Sequence, residues 1–243
     1  MSQRKSTAKP VSVTAAHRGT KKQKKILKAK KWNVSSVNWM QRHINDPYVT
    51  AAQKAGYKSR AAFKLVEIND KFRLFGNKTT NANILDLGSA PGSWLQVLAQ
   101  SLQKKQNNHI IGIDLQEIEK SDDNIQTIEG DFRDETVIKK LFALLESSTR
   151  PFDLILSDMA PATSGDKIAD HIKITTLLNL VVEFSTKYLK PEGNLIMKSF
   201  AGEENKKLVT LLKKDFEKVA FFKPKSSYKD SSEIFIVALK LRS

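Results

Sequence analysis

Along this chain the apolar positions change period again and again, and each change marks a new element. Asn83-Ile84-Leu85-Asp86-Leu87 is a short, nearly unbroken apolar run, as expected of a strand covered on both faces. Trp94 to Lys104 then spaces its apolar residues as a helix does. Strand patterns follow at His109–Asp114 and Ile125–Ile128, a helix at Glu135–Glu146, and a strand at Phe152–Asp158. A long helix over 168–189 is stopped by Lys190-Pro191-Glu192-Gly193, and Asn194–Lys198 is the fifth strand. Asn205–Phe216 reads as a helix, and Val219–Phe222 and Glu233–Leu239 as the last two strands. Upstream, Ala62, Leu65, Val66 and Phe72 predict a helix with Ser59 as N-cap, ended at Gly76-Asn77.

This alternation predicts an α/β fold: a seven-stranded, mostly parallel, Rossmann-like sheet with helices on both faces. The connection from Phe222 to Glu233 has no room for a crossover helix, so the last strand should run antiparallel. Ligands of such sheets bind beyond the carboxyl ends of the strands. Asp86, Asp114, Asp158 and Lys198 all fall at or near predicted strand ends, which makes them the first candidates for a site.

The loop after the first strand, Asp86-Leu87-Gly88-Ser89-Ala90-Pro91-Gly92, narrows the ligand. It lacks the third glycine of a dinucleotide fingerprint and the lysine of a P-loop, so it is not built as a phosphate cradle. Asp114, after the second strand, stands where an acid gripping ribose hydroxyls is expected. Asp131, after Gly130, could accept from an adenine amino group. An adenosine carrying a charged amino acid and no phosphate suits these acids, and S-adenosyl-L-methionine is such a molecule. Each residue taken singly has a plainer reading: a tight turn for Gly88 and Gly92, a helix cap for Asp114 or Asp131, core packing for Trp94.

Composition sharpens this picture. Of 41 Lys and Arg, 12 lie in residues 1–45 without a single Asp or Glu, while residues 46–243 hold 29 basic and 26 acidic side chains. Residues 1–45 therefore read as a basic, disordered arm suited to a polyanion, and 46–243 as a near-neutral catalytic domain. Trp32, Trp39 and Tyr57 are candidate platforms for unstacked bases, and Arg60, Lys223, Lys225 and Lys229 candidate phosphate contacts. There is no cysteine, which excludes disulfides, thiolate metal sites and a cysteine nucleophile. The four histidines, at 17, 43, 109 and 171, are too scattered for a metal cluster, so no metal is expected. No secretory h-region and no membrane-span pattern occurs, and a transit peptide is the weaker reading of a head with three arginines among its many lysines. A cytoplasmic monomer is the expectation.

Several stretches together resemble the RrmJ/FtsJ family: Ser59-Arg60-Ala61-Ala62-Phe63-Lys64-Leu65, the loop through Ser93-Trp94, Gly130-Asp131-Phe132-Arg133-Asp134, Ser157-Asp158-Met159-Ala160-Pro161, Lys198-Ser199-Phe200-Ala201-Gly202 and Ser231-Ser232-Glu233-Ile234-Phe235. They span about residues 47–240 in the family's order. The resemblance implies an S-adenosylmethionine-dependent RNA 2'-O-ribose methyltransferase, and the bacterial branch with this layout methylates a uridine ribose in large-subunit (23S) ribosomal RNA. The implied partner is ribosomal RNA or the large ribosomal subunit. By motif, the family's Lys-Asp-Lys-Glu tetrad falls on Lys64, Asp158, Lys198 and Glu233, and its cofactor contacts on Gly92, Trp94, Asp114, Asp131 and Asp158. Gly92-Ser93 stands where the family more often has Gly-Gly, and the basic arm is longer than the family's. Two competing readings are a transfer-RNA ribose methyltransferase of the same family and a non-catalytic RNA-binding ribosome assembly factor. Asp158-Met159-Ala160-Pro161 departs from the Asn/Asp-Pro-Pro-aromatic motif of amino-group methyltransferases.

The tetrad reading carries an expectation about protons. A ribose hydroxyl is a weak nucleophile, and a lysine can take its proton if burial or a neighbouring cation lowers the lysine pKa.

Overall fold

A computed structural model describes residues 34–243 except 77, 103–106, 120–121, 146–150, 163 and 203. The arm expected over residues 1–32, with Trp32, and the side chain of Trp39 lie outside the described residues. Seven strands form one sheet in the order β3-β2-β1-β4-β5-β7-β6: β1 Asn83–Leu87, β2 His109–Asp114, β3 Ile125–Glu129, β4 Phe152–Ser157, β5 Leu189–Phe200, β6 Phe216–Phe222 and β7 Glu233–Leu241. β1 to β5 run parallel, and β7 is antiparallel to both β5 and β6. The sheet is therefore the predicted seven-stranded one, with the predicted antiparallel last strand. Because β7 runs backwards, its first residue, Glu233, pairs with Phe200 at the carboxyl end of β5.

The described residues form seven helices: α1 Val34–Ile44, α2 Pro47–Ala55, α3 Ala62–Phe72, α4 Ser93–Ser101, α5 Glu135–Leu145, α6 Lys167–Tyr188 and α7 Glu204–Asp215. Alternation along each strand sorts the apolar side chains onto two faces. Ile84, Ile110, Leu154, Ile196 and Val237 pack under α3 and α4, while Leu85, Ile111, Ile155, Leu195 and Ala238 pack under α5, α6 and α7. Asp86 shares the face of Ile84 and is the polar break in that layer.

Local sequence differs from the expectation at three places. Lys190-Pro191-Glu192-Gly193 does not separate helix from strand: Leu189 already pairs with Phe152, and the register shifts before Asn194 pairs with Leu154. Ser59 does not cap α3, which starts at Ala62 without a side-chain cap; its hydroxyl instead accepts from Ala61 N and from the Ser93 hydroxyl. Val34–Ile44 is helical within the stretch read as arm, followed by α2 with Asp46 as N-cap and Gly56 in the left-handed region after its end.

Candidate active site

The strand order reverses direction between β1 and β4, and a cavity of about 690 Å³ opens at the carboxyl ends beside that reversal. Gly88, Asp114, Asp131, Met159 and Asp158 line it from the loops after β1 to β4, and Ile172 and Leu177 from α6. Three of the five expected cofactor residues, Asp114, Asp131 and Asp158, are thus on its wall. The other two are not. Gly92 takes φ 100° and starts α4, and Trp94 is buried behind it. The Trp94 indole donates to Ala61 O at 2.9 Å and its ring packs on Phe235, 5.8 Å between centroids. Trp94 therefore ties α4 to the start of α3.

The acids on the cavity wall have distinct settings. Asp114 accepts from Ala90 N and Gln116 N, both at 2.9 Å, so it fixes the glycine loop onto β2. Asp131 is held by Arg133, whose guanidinium keeps the Asp131 carboxyl below its usual pKa. Gly88 is a contact that composition did not reveal: it sits at φ 72°, and a Cβ there would lie 2.0 Å from Met159 Cγ. Its signal in sequence was the glycine alone; the partner Met159 comes from the loop after β4. Asp86 is 1% exposed, and neither carboxylate oxygen has a hydrogen-bond partner. Burial first, then the nearby Asp158 and Asp114 charges, push its pKa well above the ordinary value.

The four tetrad residues meet. Lys64 Nζ donates to Glu233 Oε2 at 2.8 Å and stands 3.4 Å from both oxygens of Asp158. Lys198 Nζ is 3.1 Å from Asp158 Oδ1 and donates to the Asp158 backbone carbonyl. Their side chains are only 11–18% exposed, so the charges act in a partly desolvated setting. Each comes from a different element: α3, the end of β4, β5 and the start of β7. Asp158 belongs to both the cavity wall and the tetrad, so the two sites are one.

The expectation of a lowered lysine pKa fails for Lys64. Burial works against its ammonium, but Asp158 and Glu233 outweigh burial and hold its pKa above the usual value. Burial would likewise raise Glu233, yet Lys64, the Ser227 hydroxyl and Lys198 keep its carboxyl below the usual value. Lys64 is a fixed cation and Glu233 a fixed anion.

Two surface expectations are corrected. Arg60 is not free for phosphate: it pairs with Asp46, stacks on Tyr228 and donates to Ser226 O. Tyr57 is not an exposed platform, because its ring is buried against Phe63 and its hydroxyl donates to Gln100 at 2.8 Å. Lys223 Nζ donates to Ser231 O within its own loop, at 2.6 Å.

A sequence model of the FtsJ-like methyltransferase family matches residues 57–241. This chain belongs to the FtsJ-like methyltransferase family. It is 41% identical over 218 residues to the ribosomal RNA large subunit methyltransferase E of Rickettsia akari, covering 88% of this chain and 93% of that one. A crystal structure described as a ribosomal RNA methyltransferase from Plasmodium falciparum is 34% identical, with TM-score 0.66 over 76% of this chain and 98% of that one. Methanococcus jannaschii fibrillarin, 15% identical with TM-score 0.51 over 76% of each chain, shares the fold alone. No helix among the described residues is long and apolar enough to cross a membrane, and no group of His, Cys, Asp and Glu there could hold a metal ion.

Proposed function

We propose that this methyltransferase moves a methyl group from S-adenosyl-L-methionine to the 2'-hydroxyl of a uridine ribose in large-subunit ribosomal RNA. The observation that carries the reading is Asp158, which joins the cavity to the Lys64–Lys198–Glu233 cluster. The cavity suits the donor: apolar Ile113, Phe132 and Met159 for an adenine, carboxylates at 114 and 131 for hydroxyl and amino groups, and a third at 158 for a cationic centre. When bound, the donor supplies an electrophilic methyl carbon on a positive sulfur.

The chain's own residues then manage the acceptor and its proton. Lys64 and Glu233, fixed as an ion pair at 2.8 Å, orient the ribose by donating and accepting at its hydroxyls. Lys198 contacts the 2'-oxygen, as the base that takes the proton or as the cation that stabilises the developing alkoxide. Asp158 holds both lysine side-chain nitrogens in place. Where Lys198 acts as base it would take the hydroxyl proton on its neutral amine, and where it acts as cation the proton would leave to solvent while the ammonium steadies the 2'-oxygen.

The relatives' printed names favour ribosomal over transfer RNA as substrate. The reading carries a cytoplasmic, monomeric enzyme whose basic residues 1–32 add polyanion affinity. The deciding experiment offers labelled donor with ribosomal particles, free ribosomal RNA and transfer RNA, followed by nucleoside mapping. Label in a 2'-O-methyluridine of large-subunit RNA supports the reading, whereas label confined to transfer RNA or to a base overturns it. Lys198→Ala should abolish transfer with donor affinity nearly intact, and wild-type turnover in that variant would remove Lys198 from its role.

A further inference from the structure

The loop between β6 and β7, residues 223–232, is fastened at more points than a surface loop needs. Glu67 lies one turn beyond Lys64 on α3, and its buried carboxylate accepts from the backbone N–H groups of Lys225 and Ser226. Arg60 donates to Ser226 O. The Tyr228 ring has the guanidinium of Arg42 from α1 and that of Arg60 each 3.8 Å from its centroid. Arg42 also pairs with Asp230, and Arg60 with Asp46 at the head of α2. At the middle of this loop, buried Ser227 turns its hydroxyl inward and donates to Glu233 Oε1 at 2.6 Å. Lys64 occupies the other oxygen, so both ends of the Glu233 carboxylate are taken.

We infer that Ser227 is a positioning residue of the methyl-transfer site: it sets the plane of the Glu233 carboxylate, and Glu67 with the Arg42–Tyr228–Arg60 stack holds Ser227 where it can. The inference rests on the reading of Glu233 as a ribose-orienting group. A carboxylate held by Lys64 alone could turn about its Cγ–Cδ bond, because one charge-assisted contact fixes one oxygen. A second donor on the second oxygen removes that freedom. The loop's remaining contacts, backbone bonds and stacking, fix where the hydroxyl is presented. The charged groups that act on Glu233 are Lys64 from α3 and Lys198 from β5, with Asp158 facing both lysines, and Ser227 is an uncharged donor beside them.

The test compares Ser227→Ala, Ser227→Thr and Glu67→Gln with the full-length wild type. The measurements are methyl transfer to transcribed large-subunit ribosomal RNA and to ribosomal particles, donor affinity by calorimetry, thermal melting, and the titration of the Glu233 carboxyl carbon by NMR. Loss of a hydrogen bond to a charged group predicts about a tenfold lower kcat for Ser227→Ala. The Glu233 titration should move upward in that variant, with donor affinity unchanged and melting at neutral pH lowered only by the one lost hydrogen bond. Ser227→Thr should restore both, and Glu67→Gln should reproduce part of the loss. Wild-type kcat and an unmoved Glu233 titration in Ser227→Ala would overturn the inference, as would a matching drop in melting and donor affinity. If the wild type transfers no methyl to any RNA, the functional reading fails separately, and the NMR titration still decides whether Ser227 governs Glu233.

Discussion

Asp158→Asn removes one charge at the point where two lysines converge, with almost no change of shape. Lys64 Nζ is 3.4 Å from both Asp158 oxygens and Lys198 Nζ is 3.1 Å from one. At an effective dielectric constant of about 20, each such pair has a gross attraction of about 5 kcal/mol. Desolvation takes back much of that, and removing one partner from a buried pair costs about 3–5 kcal/mol. The two lysines do not suffer equally. Lys64 keeps Glu233 at 2.8 Å, whereas Lys198 keeps its bond to the backbone carbonyl of residue 158 and, for charge, the longer-range field of Glu233. The main effect therefore falls on Lys198, the residue proposed to contact the reacting oxygen. If about 3–4 kcal/mol of that ordering is used in the transition state, kcat falls by about 100- to 1000-fold. The assay is initial-rate transfer of labelled methyl to ribosomal particles, paired with donor affinity and a thermal melt. The fold should survive, because an amide replaces the carboxylate without a change of volume. Turnover within about threefold of wild type in a properly folded Asp158→Asn protein would refute the reasoning, since so small a change leaves well under 1 kcal/mol for the charge.

Four further outcomes follow from particular residues. Asp86 has a folded pKa raised above the unfolded value of 3.8, so its ionised form is the one the fold disfavours. That penalty is absent below about pH 4 and grows as pH rises toward the folded pKa. Asp86→Asn should therefore melt like the wild type at acid pH and higher than it at neutral pH, and melting scans over that range that stay parallel would refute the shift. Gly88→Ala places a methyl 2.0 Å from Met159 Cγ at φ 72°, and calorimetry should show donor affinity down about tenfold, with the clash but not the backbone strain relieved by adding Met159→Ala. Trp94→Phe loses a bond to Ala61 O without touching the cavity, so it should cost about 1–2 kcal/mol in denaturant unfolding while donor affinity holds; Asp131→Ala should do the reverse.

The strands and the chemistry at their carboxyl ends were legible along the chain because both are local. A short apolar-rich run such as Asn83–Leu87 reads as a buried strand, and the residues following it then stand at the carboxyl end of the sheet. Asp114 and Asp158 were placed at the carboxyl ends this way and Asp131 just beyond one, and all three line the cavity; the glycine loop told against phosphate by its spacing alone. The tetrad needed the family's motifs to be named, since lysines and acids are usually solvated. The tertiary structure decided what depends on distant partners. Lys64 and Glu233 lie 169 residues apart and meet because β7 runs backwards, a fact of strand order rather than of composition. The same holds for the raised Lys64 pKa, where carboxylates from two other elements outweigh burial. Arg60 looked like a phosphate contact until Asp46 and Tyr228 closed on it from either side of the sequence. Gly92 and Trp94, inside the most telling motif, are not on the cavity wall, because a motif fixes which residues are near one another and packing fixes which of them line a cavity.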